Sequence, residues 1–208
     1  MPAEYFALAY EGRPPWDIGR PQGAFRCLVE AGQIHGSVLD VGCGTGENAL
    51  YLAAEGLAVT GVDAAELAVH KATTKARRRR LGARFAVHDA LHLESLGSTF
   101  DTVVDSGLFH TFDDGERLRF RASLAAVLRP GGHYFMLCFS ERETGEGGPR
   151  RVTQREIHEV FDGNGFVVQR IDPALLETRG DGGRQAWLAV IRRVSGEPGD
   201  AAGAAREG

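Results

Sequence analysis

Short apolar runs alternate with longer helical stretches along the first two thirds of the chain. Runs rich in β-branched and aromatic residues predict strands at 37–41, 58–62, 84–88, 100–105 and 133–140. Helices are predicted between these strands at 47–55, 64–80 and 113–128. This β-α-β-α order predicts a parallel sheet that is covered by helices on both faces.

The pattern changes after residue 150. Thr153 is followed three positions later by Glu156, a capping-box signature, so a helix is predicted at 153–162. Two strands follow at 166–171 and 185–192 with no helix between them. An antiparallel pair is therefore predicted at the end of the sheet.

The remaining segments divide the chain into three parts. Residues 1–34 precede the first strand and form an N-terminal arm, in which 3–10 predict a short helix. Residues 35–194 are predicted to form one domain, in which 129–132, Arg-Pro-Gly-Gly, separate a helix from a strand and 141–151 form a surface loop. Residues 195–208 are Gly, Ala and charged residues with little to bury, so a disordered tail is predicted.

Composition excludes several classes of function. A chain of 208 residues suits one domain. Its net charge of −4 argues against nucleic acid as a partner. No apolar run is long enough for a membrane span and no signal pattern begins the chain, so we expect a cytoplasmic protein. The three scattered cysteines predict neither disulfides nor a zinc site, and we expect no metal.

A run of four arginines, 77–80, ends the helix predicted at 64–80. A phosphate-binding patch is one interpretation. Cations at the end of a helix also complement its negative terminus and remain solvated, which we favour here.

Three glycines directly follow the first predicted strand in residues 38–46, VLDVGCGTG. Gly42, Gly44 and Gly46 allow a tight turn and the close approach of a ligand, while the next helix presents free N–H groups. A P-loop is excluded because no Gly-Lys-Ser/Thr follows. A dinucleotide site stays open, because residues 44–49 match G-x-G-x-x-A and Asp63 ends the next strand, where it would bind ribose hydroxyls.

Two acidic residues favour a different ligand at this turn. Asp40 lies in the strand before the turn, and Glu47 begins the helix after it. Negative charge at the start of a helix is unfavourable beside a pyrophosphate. We therefore expect a ligand that carries an ammonium and a sulfonium group.

These residues resemble motif I of the class I S-adenosylmethionine-dependent methyltransferases. The similarity continues through VTGVD (59–63), FAVHDAL (85–91), FDTVVDSGLFH (100–110) and LRPGGHYFMLCFS (128–140), and covers most of residues 35–192. It implies an α/β, Rossmann-like fold: a seven-stranded, mostly parallel sheet with helices on both faces and an antiparallel last strand. It also implies S-adenosyl-L-methionine as the cofactor.

The resemblance assigns roles to particular residues. Asp63 would bind the ribose, Asp89 would meet the adenine amino group, and Ala90 would lie beside the base. Trp16, Tyr10 and Phe109 are candidates to face the sulfonium, although Trp16 and Phe109 are equally plausible as packing residues. The full set of implied cofactor-binding residues is Trp16, Asp40, Gly42, Cys43, Gly44, Gly46, Asp63, Ala64, Asp89, Ala90 and Ser106.

The acceptor is predicted to be a small molecule. Residues 105–110, DSGLFH, lack the Asn/Asp-Pro-Pro-Tyr/Phe motif of enzymes that methylate base amines, and the chain also lacks a Pro-Cys nucleophile and a paired-Glu loop. Residues 14–25, PPWDIGRPQGAF, resemble the entry segment of the thiopurine, halide and tellurite-resistance methyltransferases and of actinobacterial enzymes acting on heterocycles or quinones. By this resemblance the arm caps the site, with Trp16, Asp17 and Gln22 beside the donor.

His110 follows the fourth predicted strand, at the edge where open α/β sheets bind ligands. It is the candidate catalytic residue, as a general base or as a group that orients the acceptor, with a structural role as the alternative. The predicted activity is in-line methyl transfer to a sulfur, nitrogen or oxygen atom. A short NAD(P)-dependent oxidoreductase and a non-catalytic S-adenosylmethionine-binding module remain as alternatives, and the sequence predicts no oligomeric state.

Overall fold

The computed structural model describes residues 3–180 and 182–194. The tail predicted to be disordered, 195–208, lies outside the described residues. The strands are β1 Ser37–Val41, β2 Ala58–Asp63, β3 Arg84–Val87, β4 Phe100–Ser106, β5 Leu128–Phe139, β6 Phe166–Leu176 and β7 Arg184–Arg193. The α-helices are α1 Ala3–Ala9, α2 Gly23–Glu30, α3 Glu47–Ala54, α4 Glu66–Arg79, α5 Asp114–Val127 and α6 Gln154–Phe161. Two 3₁₀ segments, Ala90–Leu96 and Phe109–Thr111, follow β3 and β4.

The seven strands form one sheet in the order β3-β2-β1-β4-β5-β7-β6. The pairs β1–β2, β1–β4, β2–β3 and β4–β5 are parallel. Only β7 runs against its neighbours, since it is antiparallel to both β5 and β6. The predicted fold class is therefore confirmed, with the last strand inserted between β5 and β6.

Alternate residues of the strands supply two apolar layers. Leu39 of β1 packs in a cluster with Phe120 of α5 and Phe161 of α6, whereas its neighbour Val38 packs in a second cluster with Phe25 of α2. Successive side chains of a strand point to opposite faces, so a strand buried on both sides is apolar almost throughout. This explains why the predicted and observed bounds of β1 coincide.

Two predictions about the connections were wrong or incomplete. Residues 129–132 do not separate a helix from a strand, because β5 begins at Leu128 and contains them. The pairing with β4 shifts between Leu128 and His133, which leaves these residues as an irregular start of the strand. Helix α2 was not predicted, although its buried Phe25 and Leu28 have the three-residue spacing of a helical face.

The capping box predicted at Thr153 is present. The Thr153 side chain accepts a hydrogen bond from the Glu156 backbone N–H, and the Glu156 carboxylate accepts one from the Thr153 backbone N–H. The arginine run lies at the exposed end of α4, where it was predicted. None of the described helices is long and apolar enough to cross a membrane.

Candidate active site

A cavity of about 870 Å³ lies at the carboxyl ends of β1, β2 and β4. Parallel strands end at the same edge of the sheet, and the order changes direction between β1 and β4, which opens a crevice there. The arm and the 141–151 loop supply further lining residues, among them Trp16 and Pro149. The predicted site residues that line this cavity are Trp16, Gly42, Cys43, Gly44, Gly46, Asp63, Ala64, Asp89, Ala90, Ser106 and His110.

The glycine turn between β1 and α3 requires glycine for two separate reasons. Gly44 and Gly46 have φ angles of 53° and 84°, in the left-handed region that side chains rarely adopt. A Cβ on Gly44 would lie 2.6 Å from the Tyr10 hydroxyl, and one on Gly46 would lie 2.8 Å from the Ala72 Cβ. The turn is thus packed closely between the arm and α4, with the first turn of α3 directly behind it.

Asp63 at the end of β2 holds this turn in place. Its Oδ2 accepts a hydrogen bond of 2.8 Å from the Gly44 backbone N–H, and its Oδ1 accepts one of 2.8 Å from the Ala65 backbone N–H. Burial raises the pKa of Asp63, while these two backbone donors oppose the shift. Each carboxylate oxygen keeps a second lone pair, so the side chain can still accept hydrogen bonds from hydroxyl groups of a ligand.

Asp40, which was predicted to bind the cofactor, lies just behind the cavity wall and is 1% exposed. Its Oδ2 accepts a hydrogen bond of 3.1 Å from the backbone N–H of Ala49 in α3. Its Oδ1 is buried and has no partner among the described residues. Burial raises the pKa of Asp40 to about 8, and the nearby charges of Asp105 and Asp63 add to this effect.

Glu47 does not make the turn acidic, contrary to the expectation from the sequence. Its carboxylate lies 2.8 Å from the Lys75 ammonium and 2.9 Å from the Arg79 guanidinium. Lys75 also donates a hydrogen bond of 2.7 Å to the Thr45 hydroxyl and so ties α4 to the turn. Two cations balance the charge of Glu47, and the preference for a cationic ligand rests on the buried aspartates instead.

Asp89 begins the 3₁₀ segment Ala90–Leu96 at the end of β3. Its Oδ1 accepts a hydrogen bond of 2.9 Å from the Leu91 backbone N–H. Asp89 is exposed and Ala90 is buried, and both line the cavity. A carboxylate and a small apolar side chain therefore lie side by side, which suits a flat heteroaromatic ring with an amino group.

Asp105 shapes the turn that carries His110. Its carboxylate accepts hydrogen bonds from the backbone N–H groups of Leu108 and Phe109, at 2.7 and 3.0 Å, and from the Tyr134 hydroxyl at 2.8 Å. Burial raises the pKa of Asp105 to about 6, although these three donors favour the ionised form. This role was not predicted, because an aspartate at the end of a strand gives no sign of its partners.

His110 is buried, and its Nδ1 accepts a hydrogen bond of 2.9 Å from the Phe139 backbone N–H. The neutral ring therefore carries its proton on Nε2. A Cβ on Gly107, a lining residue, would lie 3.4 Å from this Nε2. Burial lowers the pKa of His110 to about 3, and the charges of Arg117 and Arg151 add to this effect. Of the two roles that the sequence left open, this geometry favours the orienting hydrogen-bond donor over the general base.

Phe109 does not face the cavity, and its candidacy as a sulfonium partner was wrong. Its ring is fully buried in the apolar core, 5.7 Å from the Phe161 ring. The Arg117 guanidinium lies over it at 4.7 Å from the ring centroid. Arg117 is 1% exposed and pairs with Glu156 at 3.2 Å, so a buried cation lies near the turn of His110.

Tyr10 and Trp16 of the arm line the cavity, and the Tyr10 hydroxyl lies against Gly44 of the glycine turn. The Trp16 indole N–H donates a hydrogen bond of 3.0 Å to the Tyr10 hydroxyl, and burial raises the pKa of Tyr10. The Lys71 ammonium of α4 donates to the carbonyl oxygens of Tyr10 and Gly12. Lys71, which was not singled out from the sequence, thus fixes one end of residues 10–22, the stretch of the arm between α1 and α2.

Gln22 fixes the other end of residues 10–22, and it lines the same cavity as the glycine turn. Its amide N–H donates to the Glu177 carbonyl at 3.0 Å, and its amide oxygen accepts from the Glu177 backbone N–H at 2.8 Å. The Glu177 carboxylate also pairs with Arg20 at 2.7 Å. The arm is therefore attached to the chain just beyond β6.

The cavity is mostly apolar around His110. The Phe139 ring lies 4.7 Å from the His110 ring, centroid to centroid. A Cβ on Gly148 would lie 3.4 Å from the Phe139 ring, and one on Gly107 would lie 3.5 Å from Leu176. We call the region bounded by Gly107, His110, Phe139, Gly148 and Leu176 the acceptor compartment. Among the described residues, no group of three or more His, Cys, Asp or Glu side chains could hold a metal ion.

Comparison with known proteins agrees with these features. A family model described as a methyltransferase domain matches residues 38–132. The chain is 37% identical over 173 residues to a 2-heptyl-1-hydroxyquinolin-4(1H)-one methyltransferase from Mycobacteroides abscessus, and the match covers 82% of this chain and 76% of that protein. It is 30% identical over 157 residues to a probable thiol methyltransferase from Arabidopsis thaliana, covering 74% and 70% of the two chains.

A solved structure gives the same result for the fold. It comes from work on the conversion of a disulfide bond into a thioacetal group during echinomycin biosynthesis, and it is 36% identical to this chain with a TM-score of 0.84. The superposition covers 92% of this chain and 91% of that one. These similarities favour the methyltransferase interpretation of the glycine turn over the dinucleotide one.

Asp40 should make the stability of the protein depend on pH. Its pKa is about 8 in the folded chain, above that of an unfolded aspartate, so the free energy of unfolding falls as the pH rises from acid towards 8. Asp40→Asn should remove this contribution, which is at most about 1.4 kcal/mol per pH unit for one proton. Urea unfolding of both proteins at several pH values measures the difference. If the free energy of unfolding had the same pH dependence in the wild type and in the variant, the raised pKa of Asp40 would be contradicted.

Proposed function

The chain belongs to the S-adenosylmethionine-dependent methyltransferases, and we propose that it methylates an acidic hydroxyl or thiol group on a small aromatic molecule. The observation that carries the proposal is a single cavity that joins the glycine turn to the acceptor compartment. Its volume of about 870 Å³ is near the upper end of the range for ligand pockets, about 300–1,000 Å³. It therefore suits a nucleoside donor and a small acceptor together.

The residues around the glycine turn fit the donor. Asp63 would accept hydrogen bonds from the ribose hydroxyls, Asp89 would accept from the adenine amino group, and Ala90 would lie against the base. The turn itself would hold the aminocarboxypropyl end, with the unpartnered Oδ1 of Asp40 close behind it. Buried carboxylates favour a ligand that carries positive charge.

Tyr10 and Trp16 would face the sulfonium, because they line the cavity beside Gly44. An aromatic face stabilises a cation by about 0.5–2 kcal/mol. S-adenosylmethionine, when bound, supplies an electrophilic methyl group. The protein contributes mainly by holding the accepting atom in line with that group, which removes entropy from the barrier.

The acceptor proposal rests on His110 and on the relatives. A neutral His110 with its proton on Nε2 would donate a hydrogen bond to an oxyanion or thiolate, and its lowered pKa would make it a weak base. An acceptor that ionises by itself needs no base. The hydroxyquinolone and the thiols for which two of the relatives are named carry groups of this kind. The acceptor would lose its proton to solvent before transfer, and the sulfonium charge would disappear as the methyl group moves.

A panel of acceptors tests this function. The protein is incubated with S-adenosylmethionine and 1-hydroxyquinolin-4-one, quinolin-4-one without the N-hydroxyl group, an aromatic thiol or a phenol. Mass spectrometry should show methylation of the hydroxyquinolone and the thiol, with one S-adenosylhomocysteine formed per product. Equal methylation of the compound without the N-hydroxyl group would contradict the acceptor class. Tight S-adenosylhomocysteine binding without turnover of any acceptor would indicate a binding module.

His110→Phe tests the orienting role. Loss of a hydrogen bond to a charged group costs about 1.5–3 kcal/mol, so kcat/KM should fall by about 10- to 150-fold. The rising limb of the pH profile should follow the pKa of the acceptor in both proteins. A rising limb whose pKa is the same for all acceptors, and which is lost in the variant, would show that His110 is a base. His70→Phe, at an exposed position on α4, serves as the matched control.

Asp63→Asn tests the ribose contact. The variant should bind S-adenosylhomocysteine about 5- to 150-fold more weakly, the equivalent of about 1–3 kcal/mol for a buried hydrogen-bond partner. Calorimetric titration with S-adenosylhomocysteine and its 2′-deoxy analogue separates ribose binding from support of the turn. The wild type should bind S-adenosylhomocysteine more tightly than the 2′-deoxy analogue, whereas the variant should bind both with similar affinity. If the ratio of the two dissociation constants were the same in both proteins, Asp63 would have a structural role alone.

A further inference from the structure

The 141–151 loop folds around the side chain of Arg151. The Arg151 Nη1 donates hydrogen bonds to the carbonyl oxygens of Gly147 and Pro149, at 2.7 and 2.8 Å. Nη2 donates to the Gly145 carbonyl, and Nε lies 3.4 Å from the Glu143 carbonyl. One guanidinium thus binds four carbonyl oxygens of a segment that has no helix or strand of its own.

Arg151 also connects the loop to the acceptor compartment. Its guanidinium lies over the Phe139 ring, 5.6 Å from the centroid. The same residue, Phe139, packs its ring against His110 and donates its backbone N–H to the His110 Nδ1. A continuous series of contacts therefore runs from the loop through Phe139 to the residue that we expect to orient the acceptor.

Both ends of the loop are fixed by other residues. At the start, the Glu143 carboxylate accepts hydrogen bonds of 2.8 Å from the backbone N–H groups of Gly145 and Gln185. At the end, Arg150 pairs with Asp114 of α5 and Glu156 of α6. In the middle of the loop, Arg151 donates to the carbonyl oxygens of Gly145, Gly147 and Pro149. Its residues 146–149 line the cavity.

A guanidinium is the appropriate group for this position. Backbone carbonyl groups that lose their donors must turn towards water, and glycine-rich backbone offers little resistance to such a change. A lysine ammonium is a compact point charge, and it lacks the planar fork that can bind several carbonyl oxygens while stacking on a ring. Arg151→Lys would keep the charge without keeping this geometry.

We infer that Arg151 is a positioning residue that shapes the acceptor compartment and so determines which acceptors fit. This inference rests on the proposed function, because the loop borders the region assigned to the acceptor. Arg151 touches neither substrate nor donor in this scheme. It acts through the backbone of residues 145–149 and through Phe139.

Kinetics of Arg151→Ala and Arg151→Lys test the inference. With an acceptor that the wild type methylates, both variants should raise the acceptor KM by about 10-fold or more, whereas the dissociation constant of S-adenosylhomocysteine should stay within about two-fold. The preference for a compact acceptor over a bulkier one should also fall. Arg155→Ala is the matched control, because the Arg155 side chain is 86% exposed and pairs only with Glu159 among the described residues. Unchanged acceptor KM and preference would overturn the inference.

Chemical rescue distinguishes this role from general loss of structure. Methylguanidinium should lower the acceptor KM of Arg151→Ala, because it can occupy the vacated site and bind the carbonyl oxygens. Ethylammonium should not, and neither additive should affect Arg155→Ala. A variant whose affinity for S-adenosylhomocysteine falls in parallel with its acceptor affinity, without rescue, would show that Arg151 supports the fold alone. If the proposed function itself were wrong, the wild type would turn over none of the acceptors in the panel, before any variant is tested.

Discussion

Three carboxylates, one on each of three neighbouring strands, hold the turns of the site in position. Asp63 ends β2 and binds the glycine turn, Asp40 of β1 binds the first turn of α3, and Asp105 of β4 binds the turn of His110. Their partners are backbone N–H groups that the ends of strands and helices leave unpaired. The same three side chains lie at one edge of the sheet, where a cationic ligand would stabilise their ionised forms. Positioning of the turns and preference for a cationic ligand therefore have a common origin.

Residues 10–22 of the arm and the 141–151 loop have no helix or strand of their own, and cations bind the backbone of both. Lys71 donates to carbonyl oxygens of the arm, and Arg151 donates to those of the 141–151 loop. Segments outside regular structure must still satisfy their backbone groups, and long cationic side chains can reach several carbonyl oxygens at once. The arm and the loop thus border different parts of the same cavity.

Much of the fold was predictable because its signals are local. Strand β1 and the capping box of α6 depend on residues a few positions apart, and both were predicted correctly. Most of the predicted site residues line the cavity for the same reason, since the glycine turn and the residues after β2 and β3 are short motifs.

The contacts at the site that the sequence did not reveal join residues that are distant along the chain. Glu47 is balanced by Lys75 and Arg79, 28 and 32 residues away, and Gln22 is bound to Glu177, 155 residues away. The proton position of His110 depends on Phe139, 29 residues further along the chain. A sequence shows which groups can form hydrogen bonds, whereas the packing of the sheet decides which pairs meet.

The unpartnered oxygen of Asp40 links the arrival of the donor to the movement of a proton. Near neutral pH a carboxyl group with a pKa of about 8 is largely protonated while the cavity holds no cation. A sulfonium and an ammonium nearby stabilise the ionised form, so donor binding should expel that proton to solvent. Alkaline conditions then weaken the fold but prepare the site for its cationic ligand. After transfer the ligand has lost one positive charge, which should weaken its attraction to the Asp40 carboxylate.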